Sequence, residues 1–383
     1  MKYFSKKKLI FSLLFSANLL FICLKTFSSE MVINDFRLPV YNNKNELVAE
    51  LFGRKAILDN SNETKINDLL INFYEKSDLV AKIYSPKSII KTKTLQNRDF
   101  IIIESNSEVL IKYDESFIFG KGYNFNSFEE TIKLNSNSIV FLESEIIRER
   151  KNLNNDINNQ DKFKFMKDSL QLIKEDNLNI ENQYIKGDNL NFNRIDRSFT
   201  IEGRTFAKFL NQKIYAEKIS YNSKNNQKII FEPNAFIEAK NLFDNDEITD
   251  IRANKIIMDY YKNNVDLFGD VRMRNYIGAL NSDKMSFKIN SKQRIKSLTL
   301  TSNVIVKFND LLVSCDNMTY FRESNKIKFI GYPKLMNKNN VISSDIINFW
   351  PKIGKILCEP NAKMIFYPNL NDWKNISNEL NKF

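Results

Sequence analysis

The chain has 383 residues, of which 43% are hydrophobic and 13% aromatic, so it is long enough for two or three domains with a large buried interior. Its formal charge of +11 permits an anionic membrane surface, a phosphorylated lipid or nucleic acid as a partner. No Arg-rich run or aromatic RNA-binding signature occurs, and we predict no nucleic-acid partner. The absence of His removes the commonest general base and metal ligand. We therefore predict no catalytic residue, no metal site and no cofactor.

The amino terminus has the pattern of an export signal. Lys6, Lys7 and Lys8 precede the apolar run 9–24, as in a basic region followed by a hydrophobic core. At 1.5 Å per residue this run spans about 24 Å as a helix, less than the roughly 30 Å of a bilayer's hydrocarbon core. A cleaved signal peptide and a retained membrane anchor over residues 1–29 are therefore both compatible with the sequence.

Residues 31–142 read as short β-strands, because runs of β-branched and aromatic residues alternate with polar turns. The candidate inward-facing positions in this segment are Ile101, Ile103, Val109, Ile111, Phe117 and Phe119. Residues 143–182 are charged and Asn-rich, which predicts a linker, with one possible helix over 163–174. Residues 368–383 are interpreted as a tail.

An internal repeat occupies the rest of the chain. A six-residue pattern recurs at 187–192, 216–221, 253–258, 282–287, 315–320 and 344–349. It consists of a small residue, then Asp, Glu or Asn, any residue, an aliphatic residue, any residue, and an aromatic residue or Met. Gly203, Glu232, Gly269 and Gly331 each lie 15 residues after the acidic or amide position of their unit. The 282–287 unit departs from this spacing, with a longer run to Ser302. Each unit is thus two strand-sized runs around a turn, the rung of a stacked sheet that bends at its Gly or Pro.

Period-two alternation identifies the inward face of these rungs. We predict an apolar lumen that binds lipid acyl chains, because a folded sheet with such a face and no catalytic group offers a trough for hydrocarbon. The candidate lumen residues in the repeat are Phe199, Ile201, Phe231, Met258, Leu267, Val271, Met273, Phe287, Leu298, Leu300, Val304, Val306, Phe308, Ile327 and Phe329. Cys315 and Cys358 either pair or are separate buried thiols.

Two segments resemble proteins of lipopolysaccharide export. Residues 183–367 resemble the OstA-like repeat of LptA through the motifs at 282–287, 315–320 and 344–349 and the run 327–333. Residues 31–142 look like LptC through the runs 36–41, 84–87 and 120–125. The resemblance implies an all-β fold, a folded-over antiparallel β-jellyroll or V-shaped sheet in two stacked modules after the leader. Joining an LptC-like half to an LptA-like half departs from the usual arrangement of two chains.

The resemblance also implies a function and partners. The protein would be a non-enzymatic carrier or bridge in the periplasm, attached to the inner membrane by its leader unless this is cleaved. It would take the lipid A acyl chains of lipopolysaccharide from an inner-membrane ABC transporter and pass them on. Its neighbours would be other β-jellyroll export proteins, joined by edge-strand addition.

Two alternatives remain at the level of sequence. One is a structural or adhesive envelope protein whose β-repeat has a filled core and no lipid ligand. The other is a β-helix enzyme that acts on polysaccharide, with Asp188, Glu217, Asp283, Asp316 and Asp345 as its carboxylates. These carboxylates recur beside turns, once per rung, which favours turn hydrogen bonds over paired acid–base chemistry.

Overall fold

The computed structural model describes most of the chain between residues 31 and 366. The described residues are 31–41, 46–58, 63–75, 77–95, 98–113, 116–127, 129–141, 163–175, 183–209, 211–222, 228–243, 247–259, 262–276, 278–290, 294–308, 311–337 and 340–366. The predicted leader, the predicted tail and most of the predicted linker lie outside them. The chain divides into two compact units, with the boundary between Ile195 and Asp196. We call them unit 1 and unit 2.

Unit 1 contains nine strands and a helix within the described residues. They are β1 Met31–Tyr41, β2 Leu47–Leu58, β3 Glu63–Glu75, β4 Asp78–Leu95, β5 Arg98–Tyr113, β6 Ser116–Asn126, β7 Thr131–Phe141, α1 Lys164–Glu175, β8 Tyr184–Gly187 and β9 Asn189–Asn193. Each strand from β1 to β7 pairs antiparallel with the next, and β8 and β9 pair with the two halves of β7. The helix expected over 163–174 is present one residue later.

Unit 2 consists of sixteen strands within the described residues. They are β10 Ser198–Phe209, β11 Gln212–Asn222, β12 Lys228–Glu232, β13 Ala235–Lys240, β14 Ile248–Ala253, β15 Lys255–Asp259, β16 Asn264–Arg274, β17 Gly278–Ile289, β18 Ile295–Phe308, β19 Leu311–Phe321, β20 Lys326–Ile330, β21 Lys334–Asn337, β22 Asn340–Ser343, β23 Ile346–Trp350, β24 Lys355–Glu359 and β25 Lys363–Phe366. All pairings are antiparallel, and the all-β prediction is confirmed.

Every rung of unit 2 bends near its middle, along a line that we call the crease. Long strands carry a bulge there, for example between Phe268 and Val271 of β16, and elsewhere a rung is split into two short strands. The crease residues adopt positive φ, including Gly203, Asn234, Gly269, Gly331 and Asn361. Gly and Asn tolerate this left-handed conformation better than other residues, which explains why the sequence marks each bend with them.

The crease divides the sheet of unit 2 into two arms that face each other. Arm 1 contains β12, β15, β20, β23 and β24, arm 2 contains β13, β14, β21, β22 and β25, and the long strands contribute a half to each. Aromatic pairs span the space between the arms: the ring centroids are 6.4 Å apart for Phe209 and Phe231, and 6.3 Å for Phe308 and Phe349. Unit 2 is therefore a folded-over antiparallel sheet.

Unit 1 is folded over in the same way. Its bulges lie between Tyr84 and Ile89 of β4 and between Ser105 and Glu108 of β5. Phe73 and Phe125, which lie on opposite sides of the bend, approach to 5.3 Å between ring centroids. The first copy of the sequence repeat, 187–192, forms the last rung of this unit, with Leu190 and Phe192 buried inside.

Helix α1 covers part of the outer face of the unit 1 sheet. Met166 and Leu170 of the helix are buried, and the ring of Phe165 lies 6.4 Å from that of Phe117 on β6. The Lys112 ammonium stands 5.7 Å from the centroid of the same Phe165 ring, and Lys167 forms an ion pair with Asp68 at 2.8 Å. Because of this cover, the strands below α1 are apolar on both faces.

Candidate functional site

The inner face of arm 1 in unit 2 carries a continuous row of apolar side chains. Directly paired residues on neighbouring strands share a face, so the strand register defines the row. In spatial order it is Ile201, Ile219, Phe231, Ile256, Leu267, Met285, Leu300, Met318, Phe329, Ile347 and Cys358. All members except Cys358 are buried. We call this the arm 1 row.

A second row follows the inner face of arm 2 and faces the first. It comprises Ala207, Ile214, Ile237, Ile251, Met273, Leu280, Val306, Val313, Leu335, Ile342 and Met364. Side chains are buried from Ala207 to Met273, whereas Met364 at the far end is 54% exposed. We call this the arm 2 row. The two rows form the candidate lipid site, which ends in solvent at the carboxyl-terminal strands.

The structure explains the six-residue repeat of the sequence. The small residue lies at the crease on the inner side, where the two arms leave little space; Ala253, Ser282 and Ser344 are buried there. The fourth residue of each copy in unit 2 is a member of the arm 1 row. The sixth residue lies on the same face one step nearer the strand end, as with Met258, Phe287 and Phe349. The pattern thus encodes one bent rung with its apolar side inward.

In several copies of unit 2, the acidic residue of the repeat stabilises the bend through a hydrogen bond. Asn234 donates to the carboxylate of Glu217 at 2.9 Å, and Asn361 donates in the same way to Asp345. In the repeat copy at 282–287, whose spacing is irregular, the Asn303 amide donates to the Asp283 carboxylate at 2.7 Å, so the same bend forms without glycine. These carboxylates are spaced one per rung and are each hydrogen-bonded to an amide side chain across the crease. Their geometry is that of turn stabilisation.

Hydroxyl and thiol groups at the crease form a further set of hydrogen bonds. Ser282 donates to the carbonyl of Lys284 at 3.0 Å, and Cys315 and Ser344 donate to the carbonyl two residues later in the same way. In unit 1, Tyr123 and Ser88 share a buried hydrogen bond of 2.9 Å, and burial raises the pKa of the Tyr123 hydroxyl. The polar groups at the crease of these rungs are thus hydrogen-bonded to other groups of the protein.

The structure brings nearly all predicted lumen residues onto the inner faces. In unit 2 the fifteen predicted positions lie in the two rows or on the same face beside them. Phe308 and Ile327 lie towards the strand ends and are half-buried. In unit 1, Ile103, Val109 and Ile111 are buried on the inner face, and Ile101 is half-buried at its margin. The lipid role of these residues is part of the proposal below.

Phe117 and Phe119 do not share the inner face, and their predicted placement is wrong. Phe117 pairs with Lys112 and Phe119 with Leu110, whereas the inner residue Ile111 pairs with Ile118. Phe117 contacts the ring of Phe165 on helix α1. Alternation in β6 cannot separate the two faces, because the helix makes both of them apolar.

Sequence reasoning missed much of the arm 2 row. Ile214, Ile237, Ile251, Val313 and Leu335 are inner and buried, but none was predicted to line the lumen. Their signal was present as alternation in β13 and β14, whose burial also alternates residue by residue. These short strands follow turns closely, which makes their parity hard to assign from sequence.

The interior of unit 2 is closed along most of its length. The loop after β13 reaches across the opening between the strand ends of the arms, which we call the mouth. There the Ile295 amide donates to the Leu242 carbonyl at 2.9 Å, both side chains are buried, and the rings of Phe243 and Tyr320 lie 6.4 Å apart. The apolar rows of unit 2 are exposed to solvent at the end near Met364.

Both cysteines within the described residues are free thiols. Cys315 lies at the crease, and Cys358 ends the arm 1 row. Burial raises the pKa of Cys315 to about 12, with a further contribution from the adjacent Asp316 carboxylate. Of the two alternatives, the structure has separate thiols, but both are half-buried rather than buried.

The described residues contain no candidate membrane-spanning helix and no candidate metal site. No described helix combines the length and hydropathy needed to cross a bilayer. The described part of the chain also contains no cluster of three or more His, Cys, Asp or Glu suited to a metal ion.

Comparison with known proteins gave a structural similarity alone. No family model matches the sequence, and no curated protein matches it. Among solved structures, the chain is similar to LptH from Pseudomonas aeruginosa, described as the LptA-homologous periplasmic component of the lipopolysaccharide transport device. The match has 13% identity and a TM-score of 0.29, and it covers 31% of this chain and 95% of LptH.

Proposed function

We propose that the chain is a non-enzymatic periplasmic carrier that binds the acyl chains of lipopolysaccharide between the arms of its folded sheets. It would receive the lipid from an inner-membrane ABC transporter and pass it toward the outer membrane. The observation that carries this proposal is the pair of facing apolar rows in unit 2, each continuous over eleven strands and open at one end. The resemblance of the repeat to the OstA-like repeat of LptA supports the same function.

The energetics of loading are close to balanced. Each acyl CH₂ removed from water gains about 0.8 kcal/mol, so a chain of about a dozen carbons gains close to 10 kcal/mol before entropic losses. Separation of the arms exposes the inner rows, but the incoming hydrocarbon covers them again, and one set of apolar contacts replaces another. Met258, Met273, Met285 and Met318 lie on the inner faces, and unbranched Met side chains repack readily around a new occupant. A free energy of loading close to zero suits a carrier that must also release its lipid.

A second candidate function is a structural or adhesive envelope repeat without a ligand. It is favoured by the almost complete burial of the row residues, since an interior that is already filled needs no lipid. The two functions predict different contents of unit 2 in cells, and an experiment can separate them.

The test places a photoreactive amino acid at Leu300, Phe329 or Met273 of the full chain and irradiates living cells. Phe268 is the matched control, because it is an aromatic residue on the outer face with Lys284 5.2 Å from its ring centroid. We expect lipopolysaccharide adducts from the three inner positions and few from Phe268. Inner positions that give only intramolecular products, or a control that captures lipopolysaccharide equally, would favour the filled-core alternative.

The proposal includes neighbours joined through the sheet edges. Within the described residues, β1 pairs with β2 alone, and β24 and β25 pair only with β23 and β22. Val32 on β1 and Ile365 on β25 are each almost half exposed. These edges offer unpaired backbone groups to a neighbouring β-jellyroll protein. A photoreactive residue at Ile365 should capture such a protein in cells, and capture that persists after β25 is disrupted by Lys363→Pro would contradict edge pairing.

A further inference from the structure

The hairpin that joins β23 to β24 has an exposed aliphatic residue at its tip. This tip, residues 350–355, reads Trp-Pro-Lys-Ile-Gly-Lys, and the Ile353 side chain is 71% exposed. Gly354 has a φ of 61°, and no atom lies within 4 Å of the position that a Cβ would occupy. The tip thus projects from unit 2 as a narrow convex feature. One exposed aliphatic residue is common on protein surfaces, so its surroundings decide what it means.

An aromatic ring between two lysines forms the base of the hairpin. The Lys326 ammonium lies 5.2 Å from the Trp350 ring centroid, and the Lys355 ammonium lies 5.3 Å from the same centroid. Lys326 also pairs with Phe321, which is 43% exposed. Aromatic and basic side chains therefore alternate along the outer face of the arm, from Phe321 through Lys326 and Trp350 to Lys355.

The charge around this hairpin is positive. Lys352 and Lys355 lie within it and Lys326 beside it, while residues 350–355 contain no Asp or Glu. The adjoining turn of arm 1 carries Glu323, which lies 3.7 Å from Lys296 and offsets that charge. The hairpin thus presents three lysines, a tryptophan and a projecting isoleucine in one small area.

We propose that the 350–355 hairpin docks on the surface of an anionic lipid bilayer. Tryptophan favours the headgroup level of membranes, lysines are attracted to anionic headgroups, and an aliphatic tip enters the outermost acyl region. A protein partner would need a broader apolar patch, whereas this feature is a convex tip with one aliphatic side chain surrounded by cations. The hairpin lies on the arm that carries Phe349 and Ile356 at its inner margin, so docking holds that end of the interior close to the membrane. This proposal does not depend on lipid carriage by the interior.

The test follows the fluorescence of Trp350 in the full chain. Trp373 is the other tryptophan of the sequence, and Trp373→Phe leaves Trp350 as the reporter. The protein is reconstituted with vesicles of phosphatidylcholine, or of phosphatidylcholine with phosphatidylglycerol, and doxyl-labelled phospholipid serves as quencher. We expect a blue shift and quenching of Trp350 with the anionic vesicles and little with the neutral ones, and a loss of this difference at high salt.

Variants assign the effect to the hairpin. Lys352→Ala or Lys355→Ala should each shift the ratio of docked to free hairpin about fivefold toward the free state, and Ile353→Ser should reduce quenching further. Ile195→Ser is the matched control, because Ile195 is 54% exposed on a turn of unit 1. Equal quenching in neutral vesicles, no effect of the hairpin variants, or an equal effect of Ile195→Ser would overturn the proposal. Since the readout is Trp350 alone, failure of lipopolysaccharide crosslinking leaves this result unchanged.

Discussion

Gly331 at the crease and Gly354 at the tip of the β23–β24 hairpin show how much the role of a glycine depends on its surroundings. Both have positive φ, 84° and 61°. A Cβ at Gly331 would stand 2.3 Å from Oδ2 and 2.5 Å from Cβ of Asp316, whereas at Gly354 it would meet nothing within 4 Å. The crease therefore needs glycine at position 331 for two reasons, the backbone conformation and the close approach of the acidic residue of its repeat.

Gly331→Ala should destabilise the protein by about 3 kcal/mol, because it combines left-handed strain with a steric conflict. Gly354→Ala carries only the strain and should cost about 1 kcal/mol. Urea unfolding of the two variants measures the difference between their free energies of unfolding, and this difference reports the steric conflict with Asp316. Equal losses would show that the acidic residue does not pack against the crease as described.

The raised pKa of Cys315 predicts slow thiol chemistry. With a pKa of about 12, only about one molecule in ten thousand carries the thiolate at pH 8. Alkylation by iodoacetamide, mapped by mass spectrometry, should be far slower in the native protein than in urea. The shift also sets a pH dependence: a folded pKa above the unfolded value of 9.0 contributes stability below pH 9 that is lost as pH rises toward 12. A native alkylation rate equal to that in urea would contradict the buried thiol.

The inward or outward orientation of a side chain could be predicted from sequence where one face of a strand is exposed to solvent. Leu298, Leu300, Val304 and Val306 alternate with polar neighbours, and the structure places all four inside. Phe117 was misplaced because the run Phe-Ile-Phe on β6 gives no contrast between faces. Its orientation depends on helix α1, which follows more than forty residues later, and local alternation contains no information about such a contact.

At the scale of the element, α1 completes the outer surface of unit 1. Its apolar residues Met166 and Leu170 are buried, while Asp168 on the intervening turn is exposed. The Arg54 guanidinium lies 5.4 Å from the ring centroid of Phe163, the residue before the helix, so the start of the helix is also held against the sheet. The sequence predicts this helix from its spacing, but not the face of the sheet that it covers.

Leu170→Ala should therefore lower the free energy of unfolding by about 3 kcal/mol, through lost burial and the cavity left behind. Asp168→Ala changes an exposed position of the same helix and should stay within about 0.5 kcal/mol of the parent. Chemical denaturation of both variants tests the packing of α1. If Leu170→Ala behaves like the control, the helix does not belong to the folded core of unit 1.

At the scale of the whole molecule, the folded-over form of both units follows from one local rule repeated along the chain. A bulge or break with positive φ turns each rung, and alternation before and after it keeps the apolar side inward. The repeat predicted this architecture because each copy specifies its own bend. The closed state of the interior could not be predicted, since it depends on pairs such as Phe209 with Phe231 and Phe308 with Phe349 that join distant segments.

The closed mouth of unit 2 leads to a prediction about loading, which rests on the proposed function. The hydrogen bond from the Ile295 amide to the Leu242 carbonyl joins the loop after β13 to the start of β18 across the mouth, so a pair of cysteines at these positions tests whether the mouth must open. The double variant Leu242→Cys with Ile295→Cys, made with Cys315→Ser and Cys358→Ser, should form a disulfide that prevents the arms from separating. Photocrosslinking of lipopolysaccharide from Phe329 should then be lost under oxidation and return on reduction. The two single-cysteine variants are the controls for altered packing at the mouth. If the locked protein still captures lipopolysaccharide at Phe329, the lipid enters from the exposed end at Met364, and opening of the mouth is not required.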